Sequence, residues 1–379
     1  MKKLLLSMLA VAAVGFTSCS SDDDKPNNNN NNTEINPANF QGSLENGDIA
    51  TLDADQTYNL TGAFIIKDGA TLTIPAGTVI KASGGTSAYI AVAQGGKIFI
   101  EGEANNPVVM TSAANNPQAG DWGGLVVCGK ANTNKGGSSG QTATAEVSDL
   151  TYGGTQDNDN SGVIRYLRLE YTGAAFNGDK EFNGLSLFGV GSGTTVEYVQ
   201  SYNGSDDGIE FFGGAVNGKY LVSTNSGDDS IDFADGWKGT GEYWYISGGA
   251  KAGIEGSNNG DNGAATPTTT ATLKNVSIVG PGSEGGLFIK EGGGIWTLQN
   301  IYIADFATGI NINGVDSDPV ANQHVDNDDI TISSIQFSNV GTLTNYAGAN
   351  TDFYTIGNNN GAGNGAAVPT WAQGWTRFN

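Results

Sequence analysis

One short phrase recurs six times and limits the fold more than any other feature of this 379-residue chain. Gly184-Leu185-Ser186-Leu187, Gly208-Ile209-Glu210-Phe211, Ser230-Ile231-Asp232-Phe233, Gly253-Ile254-Glu255-Gly256, Gly286-Leu287-Phe288-Ile289 and Gly309-Ile310-Asn311-Ile312 start 24, 22, 23, 33 and 23 residues apart. A second phrase runs between them, from Val163-Ile164-Arg165-Tyr166-Leu167 through Tyr243-Trp244-Tyr245-Ile246 to Leu298-Gln299-Asn300-Ile301. Two strand phrases sharing one short period are what a solenoid of stacked strands requires, because each turn must lay its strands beside those of the turn below. The 58 glycines supply turns, and no long amphipathic helical pattern appears. The fold expected is all-β, a right-handed single-stranded parallel β-helix with coils of about 22–24 residues. It occupies residues 34–379 as one domain. The 33-residue step contains a polar insertion, 256–272, read as a loop projecting from one coil. Residues 34–66 and the tail Trp371-Ala372-Gln373-Gly374-Trp375 are the candidate caps.

Alternation within each phrase points Ile209, Phe211, Ile231 and Phe233 inward and Glu210 and Asp232 outward. Equivalent positions on neighbouring coils lie about 4.8 Å apart, so three ladders form. Glu210, Asp232 and Glu255 make the first, Asp207, Asp229 and Ala252 the second, and Asp206, Asp228 and Lys251 the third. Stacked like charges destabilise a sheet, which suggests a bound cation, a shared proton or a catalytic pair. Asp206, Asp228, Glu210 and Asp232 are candidate ligands for Ca²⁺, with the carbonyls of Asn203 or Asn225 nearby. Aspartates before such strands also serve as ordinary turn caps, a reading that does not extend to Glu210 and Asp232.

Asn203-Gly204-Ser205-Asp206-Asp207-Gly208 and Asn225-Ser226-Gly227-Asp228-Asp229-Ser230 resemble the paired aspartate motifs of polygalacturonase-type glycoside hydrolases. Phe288-Ile289-Lys290 is similar to that family's Arg-Ile-Lys. The resemblance implies that Asp207 and Asp228 activate water, that Asp229 protonates the leaving oxygen, and that Lys290 holds a substrate carboxylate. Ala252 stands where that family carries histidine, and Phe288 where it carries arginine. The chain's one histidine, His324, lies far along in Asn322-Gln323-His324-Val325. Most of the chain, including Gly120-Asp121-Trp122-Gly123-Gly124, resembles Bacteroidota-type surface lipoproteins of the pectate lyase and polygalacturonase-like solenoid superfamily.

At the N-terminus, Lys2 and Lys3 precede an apolar run, Leu4 to Phe16, too short to span a bilayer. Residues 1–18 read as a signal peptide. Phe16-Thr17-Ser18-Cys19 resembles a bacterial lipobox, implying cleavage before Cys19 and lipidation there. Residues 19–33 would be a tether, with Asp22, Asp23 and Asp24 similar to an export tag for the outer face of the outer membrane. The formal charge is −22. Losing Lys2 and Lys3 takes it to about −24, which argues against nucleic acid and anionic lipid as partners. Cys128 then has no disulfide partner and reads as a buried hydrophobe.

The function expected is a lipid-anchored outer-membrane surface protein that binds glycans or acts in adhesion, more a binder than an enzyme. Aromatic Trp237, Tyr243 and Trp296 would meet sugar faces beside Glu210, Asp232, Lys251, Glu255 and Lys290. The alternatives are a glycosidase or lyase at the acidic ladder, and a solenoid that docks another outer-membrane protein.

Overall fold

The computed structural model describes residues 32–136, 141–177, 180–313 and 317–378. The expected signal peptide, Cys19 and all but the last two residues of the tether lie outside them.

Three parallel sheets run the length of the solenoid. The first begins with Ile49–Thr51, Thr71–Pro75 and Lys97–Glu101. It continues through the leading halves of the long strands Gly162–Glu170, Thr195–Tyr202, Asn217–Ser226, Thr240–Gly249, Thr270–Val279, Ile295–Ala304 and Ile330–Ser338. The second sheet joins the trailing halves of those strands to Val79–Ala82 and Val108–Ser112. The third stacks Ile90–Val92, Leu125–Cys128, Leu185–Phe188, Ile209–Phe212, Ile231–Ala234, Ala252–Ser257, Gly285–Lys290 and Thr308–Ile312. The architecture is the expected parallel β-helix, and the two repeated phrases are its bent long strand and its third sheet.

The bend inside the long strands is one residue with left-handed backbone: Tyr166, Tyr198, Tyr220 and Tyr243, with φ of 49°, 56°, 56° and 58°, then Asn275 and Asn300. Such a conformation is costly for a bulky residue. Here the tyrosine rings stack coil upon coil, with centroids 4.2, 4.4 and 5.1 Å apart, which offsets part of that cost. Asn300 then donates to Asn275 at 3.0 Å, an amide ladder continuing the aromatic one.

Inside the coils, Ile209, Phe211, Ile231, Phe233, Ile254 and Leu287 form one core with Trp237, Trp244 and Trp296. Outside the third sheet the chain makes two excursions, 129–161 and 171–184, whose described parts, 129–136 with 141–161 and 171–177 with 180–184, fold back over it. Ala145, Val147, Tyr152 and Phe182 pack there on Val126, Cys128, Phe188 and Phe212 as a second apolar layer. From Leu125–Cys128 to Ile209–Phe212 the third sheet is therefore buried on both faces, and Cys128 is the small buried hydrophobe expected, its thiol pushed up to about 12 by burial.

Three expectations change. The strand ends consume part of the insertion, leaving 258–269 as loop, and that loop does not simply project. Asn134 of the first excursion donates to the Asn258 and Pro267 carbonyls at 3.1 and 3.0 Å, and Lys135 pairs with Asp261 at 3.1 Å. Residues 34–66 contribute strands to the first coil, Phe40–Leu44 pairing with Thr57–Ile66. The tryptophan-rich tail runs back along the flank instead of covering the last coil. Ala362 donates to Ser277 Oγ at 2.9 Å, Trp371 meets Tyr220 at 5.2 Å, and Trp375 sits edge-on to Tyr198 and Tyr166 at 5.9 and 6.0 Å. Arg377 ends the strap, exchanging two backbone hydrogen bonds with Gln200 and pairing with Glu170 at 3.2 Å.

Candidate functional site

The register of the third sheet places Ser186, Glu210, Asp232, Glu255 and Phe288 directly above one another. The first acidic ladder exists as expected, and it points away from the solenoid core. It does not face solvent: Glu210, Asp232 and Glu255 are 9%, 7% and 4% exposed. The second excursion closes over it, and its Asn183 donates Nδ2 to Glu210 Oε2 at 2.5 Å. At the far rung Lys290 pairs with Glu255 at 2.6 Å, so this lysine neutralises a carboxylate of its own chain. Asp232 Oδ1 has no hydrogen-bond partner.

The second ladder is turn chemistry. Asp207 Oδ1 accepts from the Asp229 backbone N–H at 2.8 Å, and Asp229 Oδ1 accepts from the Ala252 N–H at 2.5 Å, each tying one coil to the next. Both side chains are buried. Burial, and then Glu255, push Asp229 up to about 10. Burial followed by neighbouring carboxylates raises Asp207, Glu210 and Asp232 well above the ordinary range. Glu255 is raised by burial against the opposing pull of Lys290.

The third ladder opens to solvent. Asp206 and Asp228 line a cleft of about 380 Å³ with Glu146, Glu181, Ser205, Gly227 and Lys251. Lys251 pairs with Asp228 at 2.6 Å. Burial, then Glu181 and Asp228, push Asp206 up to about 7. Asn203 and Asn225 are not among the residues lining the cleft; Asn225 Nδ2 donates to Asn203 Oδ1 at 3.0 Å.

The aromatic candidates lie elsewhere. Trp237 and Trp296 are wholly buried, their indoles donating to the carbonyls of Val216 and Gly293, so neither offers a face to a sugar. Tyr243 is half-buried at the bend between the first and second sheets, its ring stacked on Tyr220. Of the trio implied by the polygalacturonase resemblance, Asp207, Asp228 and Asp229, the cleft receives only Asp228. His324 hydrogen-bonds Asp329 at 2.8 Å, away from the ladder.

Sequence reading missed Glu146, Glu181 and Asn183. Nothing in the repeat marks the first two. Asn183 was within reach, because it precedes Gly184 as Asp207 precedes Gly208, one rung earlier in the second ladder.

A family model described as a pectate-lyase-like β-helix domain matches residues 42–376. No curated protein and no solved structure matches the chain.

Proposed function

The chain belongs to the pectate-lyase-like β-helix family, and from that premise we propose that it is a glycan-binding protein whose ligand site is the cleft at Asp206 and Asp228. Family membership fits a polysaccharide-related role. The observation that carries the proposal is the lining of the cleft: Glu146, Glu181, Asp206 and Asp228 with Ser205 and Lys251, and no aromatic or aliphatic side chain. Carboxylates accept hydrogen bonds from hydroxyls, and a sugar presents hydroxyls in adjacent pairs. Lys251 is already paired with Asp228, so little positive charge remains for an acidic sugar, and a formal charge of −22 repels one at long range. Neutral glycans are the ligand class that fits.

Affinity electrophoresis through gels containing neutral polysaccharides tests this. Retardation of the wild type, reduced at least about tenfold in affinity by Glu181→Gln or Asp206→Asn, corresponds to roughly 1.4 kcal/mol and supports the cleft. Retardation unchanged in both variants removes it.

A second reading, glycoside hydrolysis, is favoured by one observation. Asp206 is pushed up to about 7 while Asp228, within 4.8 Å, is ion-paired with Lys251. A carboxyl raised toward neutral pH, beside a second that is paired with a lysine, is the raw material of a proton donor at a glycosidic oxygen. New reducing ends that vanish in Asp228→Asn would establish it, and binding without turnover would exclude it.

We further propose that Cys19 carries the lipid that displays this solenoid at the outer membrane, where the partner would be a glycan or another outer-membrane protein. Radiolabelled palmitate should enter the wild type and not Cys19→Ala; equal labelling contradicts the anchor.

A further inference from the structure

We propose that Asp207, Glu210 and Asp232 hold a structural divalent cation of the hard, oxygen-seeking class, Ca²⁺ or Mg²⁺, beneath the second excursion. This goes beyond the glycan reading and does not depend on it. It also revises the expected ligand set, keeping Glu210 and Asp232 and exchanging the open-cleft residues Asp206 and Asp228 for the buried Asp207.

Three carboxylate groupings lie close enough to share an ion: Asp206 with Asp207 and Asp228; Asp207 with Glu210 and Asp232; and Asp229 with Glu255 and Glu284. The outer two contain their own counter-charge, Lys251 on Asp228 and Lys290 on Glu255, both at 2.6 Å. No residue of the middle grouping forms a salt bridge among the described residues, although the charge of Lys290 reaches Asp232, and all three residues are buried. Each offers an oxygen within 4.8 Å of the others. Metal to oxygen bonds of about 2.3–2.6 Å allow ligand oxygens on opposite sides of Ca²⁺ to stand about 4.6–5.2 Å apart. The spacing therefore admits one ion between them. With no histidine or cysteine present, zinc and copper are disfavoured.

Asp232 Oδ1 supplies the independent observation. It is buried and makes no hydrogen bond. A proton on this carboxyl would need an acceptor and an ionised oxygen would need a donor, whereas a metal ion satisfies it directly. Asn183 Nδ2 takes only one oxygen of Glu210, and the Asp229 N–H only one of Asp207. Through Glu210 and Asn183 the ion would fasten the second excursion to the third sheet.

The test is calorimetric titration of the purified, chelator-stripped protein with Ca²⁺ and separately with Mg²⁺. One site for either ion, with a raised melting temperature, is expected. Asp232→Asn should weaken affinity at least about tenfold, while Asp206→Asn in the open cleft should leave it within about twofold. If Asp232→Asn does not fold, Glu210→Gln carries the same comparison. The proposal is overturned by an absence of binding for both ions, by affinity unchanged in the buried-site variants, or by binding that Asp206→Asn abolishes.

Discussion

Glu210 shows how much a single residue can reveal and withhold. Strand alternation correctly sends its side chain away from the core, as it does Asp232 and Glu255, and the register confirms their stacking. Alternation is silent about what covers the outer face. The excursions 129–161 and 171–184 carry no repeat, so nothing in them announces that Phe182 and Tyr152 will roof the third sheet. Trp237 fails in the opposite direction: an aromatic between two phrases reads equally as ligand platform or core, and burial alone decides. Asp235 makes a prediction at this scale. It is 5% exposed, and burial pushes it up to about 6 despite Lys135 and its contact with Tyr152. A carboxyl with a raised folded-state value favours the fold fully below its unfolded value, about 3.9. That advantage is lost as pH rises through about 6, so this group should remove up to about 3 kcal/mol between pH 4 and 7. Urea unfolding at several pH values should show this fall in the wild type and a shallower one in Asp235→Asn; parallel curves would contradict the assignment.

Among elements, the third sheet was the most legible because its phrase keeps strict spacing, and the 33-residue step located the insertion although not its docking on Asn134. The C-terminal strap was the least legible. Two tryptophans near a chain end suggest a cap, but the stacked tyrosines at the bend create a flat aromatic flank that attracts them instead. Trp375 is fully buried between that flank and the strap, its indole donating to the Trp371 carbonyl at 2.9 Å. Trp375→Ala should cost about 3–5 kcal/mol, as large core truncations do. Because the strap lies outside the coils, the loss should appear first as proteolysis within residues 357–378, with the coils still intact. Unchanged protease resistance would mean that the strap does not depend on the aromatic flank.

At the scale of the whole molecule, shape and charge act together. Stacked coils bring equivalent side chains into columns, and among the described residues they set an open acidic cleft beside a roofed acidic column. Period and phrase made the solenoid readable from sequence, since a stacked repeat must pair with itself. The cleft was half readable: Asp206, Asp228 and Lys251 belong to the repeat, while Glu146 and Glu181 arrive from the excursions. On the proposed reading, this cleft takes sugar hydroxyls and excludes sugar carboxylates. A glycan array carrying matched neutral and uronic acid oligosaccharides, probed with the purified protein at two salt concentrations, tests it most directly. Binding to neutral glycans that changes little with salt, and none to uronates, is the expected result. Preferential capture of uronates, weakening as salt rises, would contradict it.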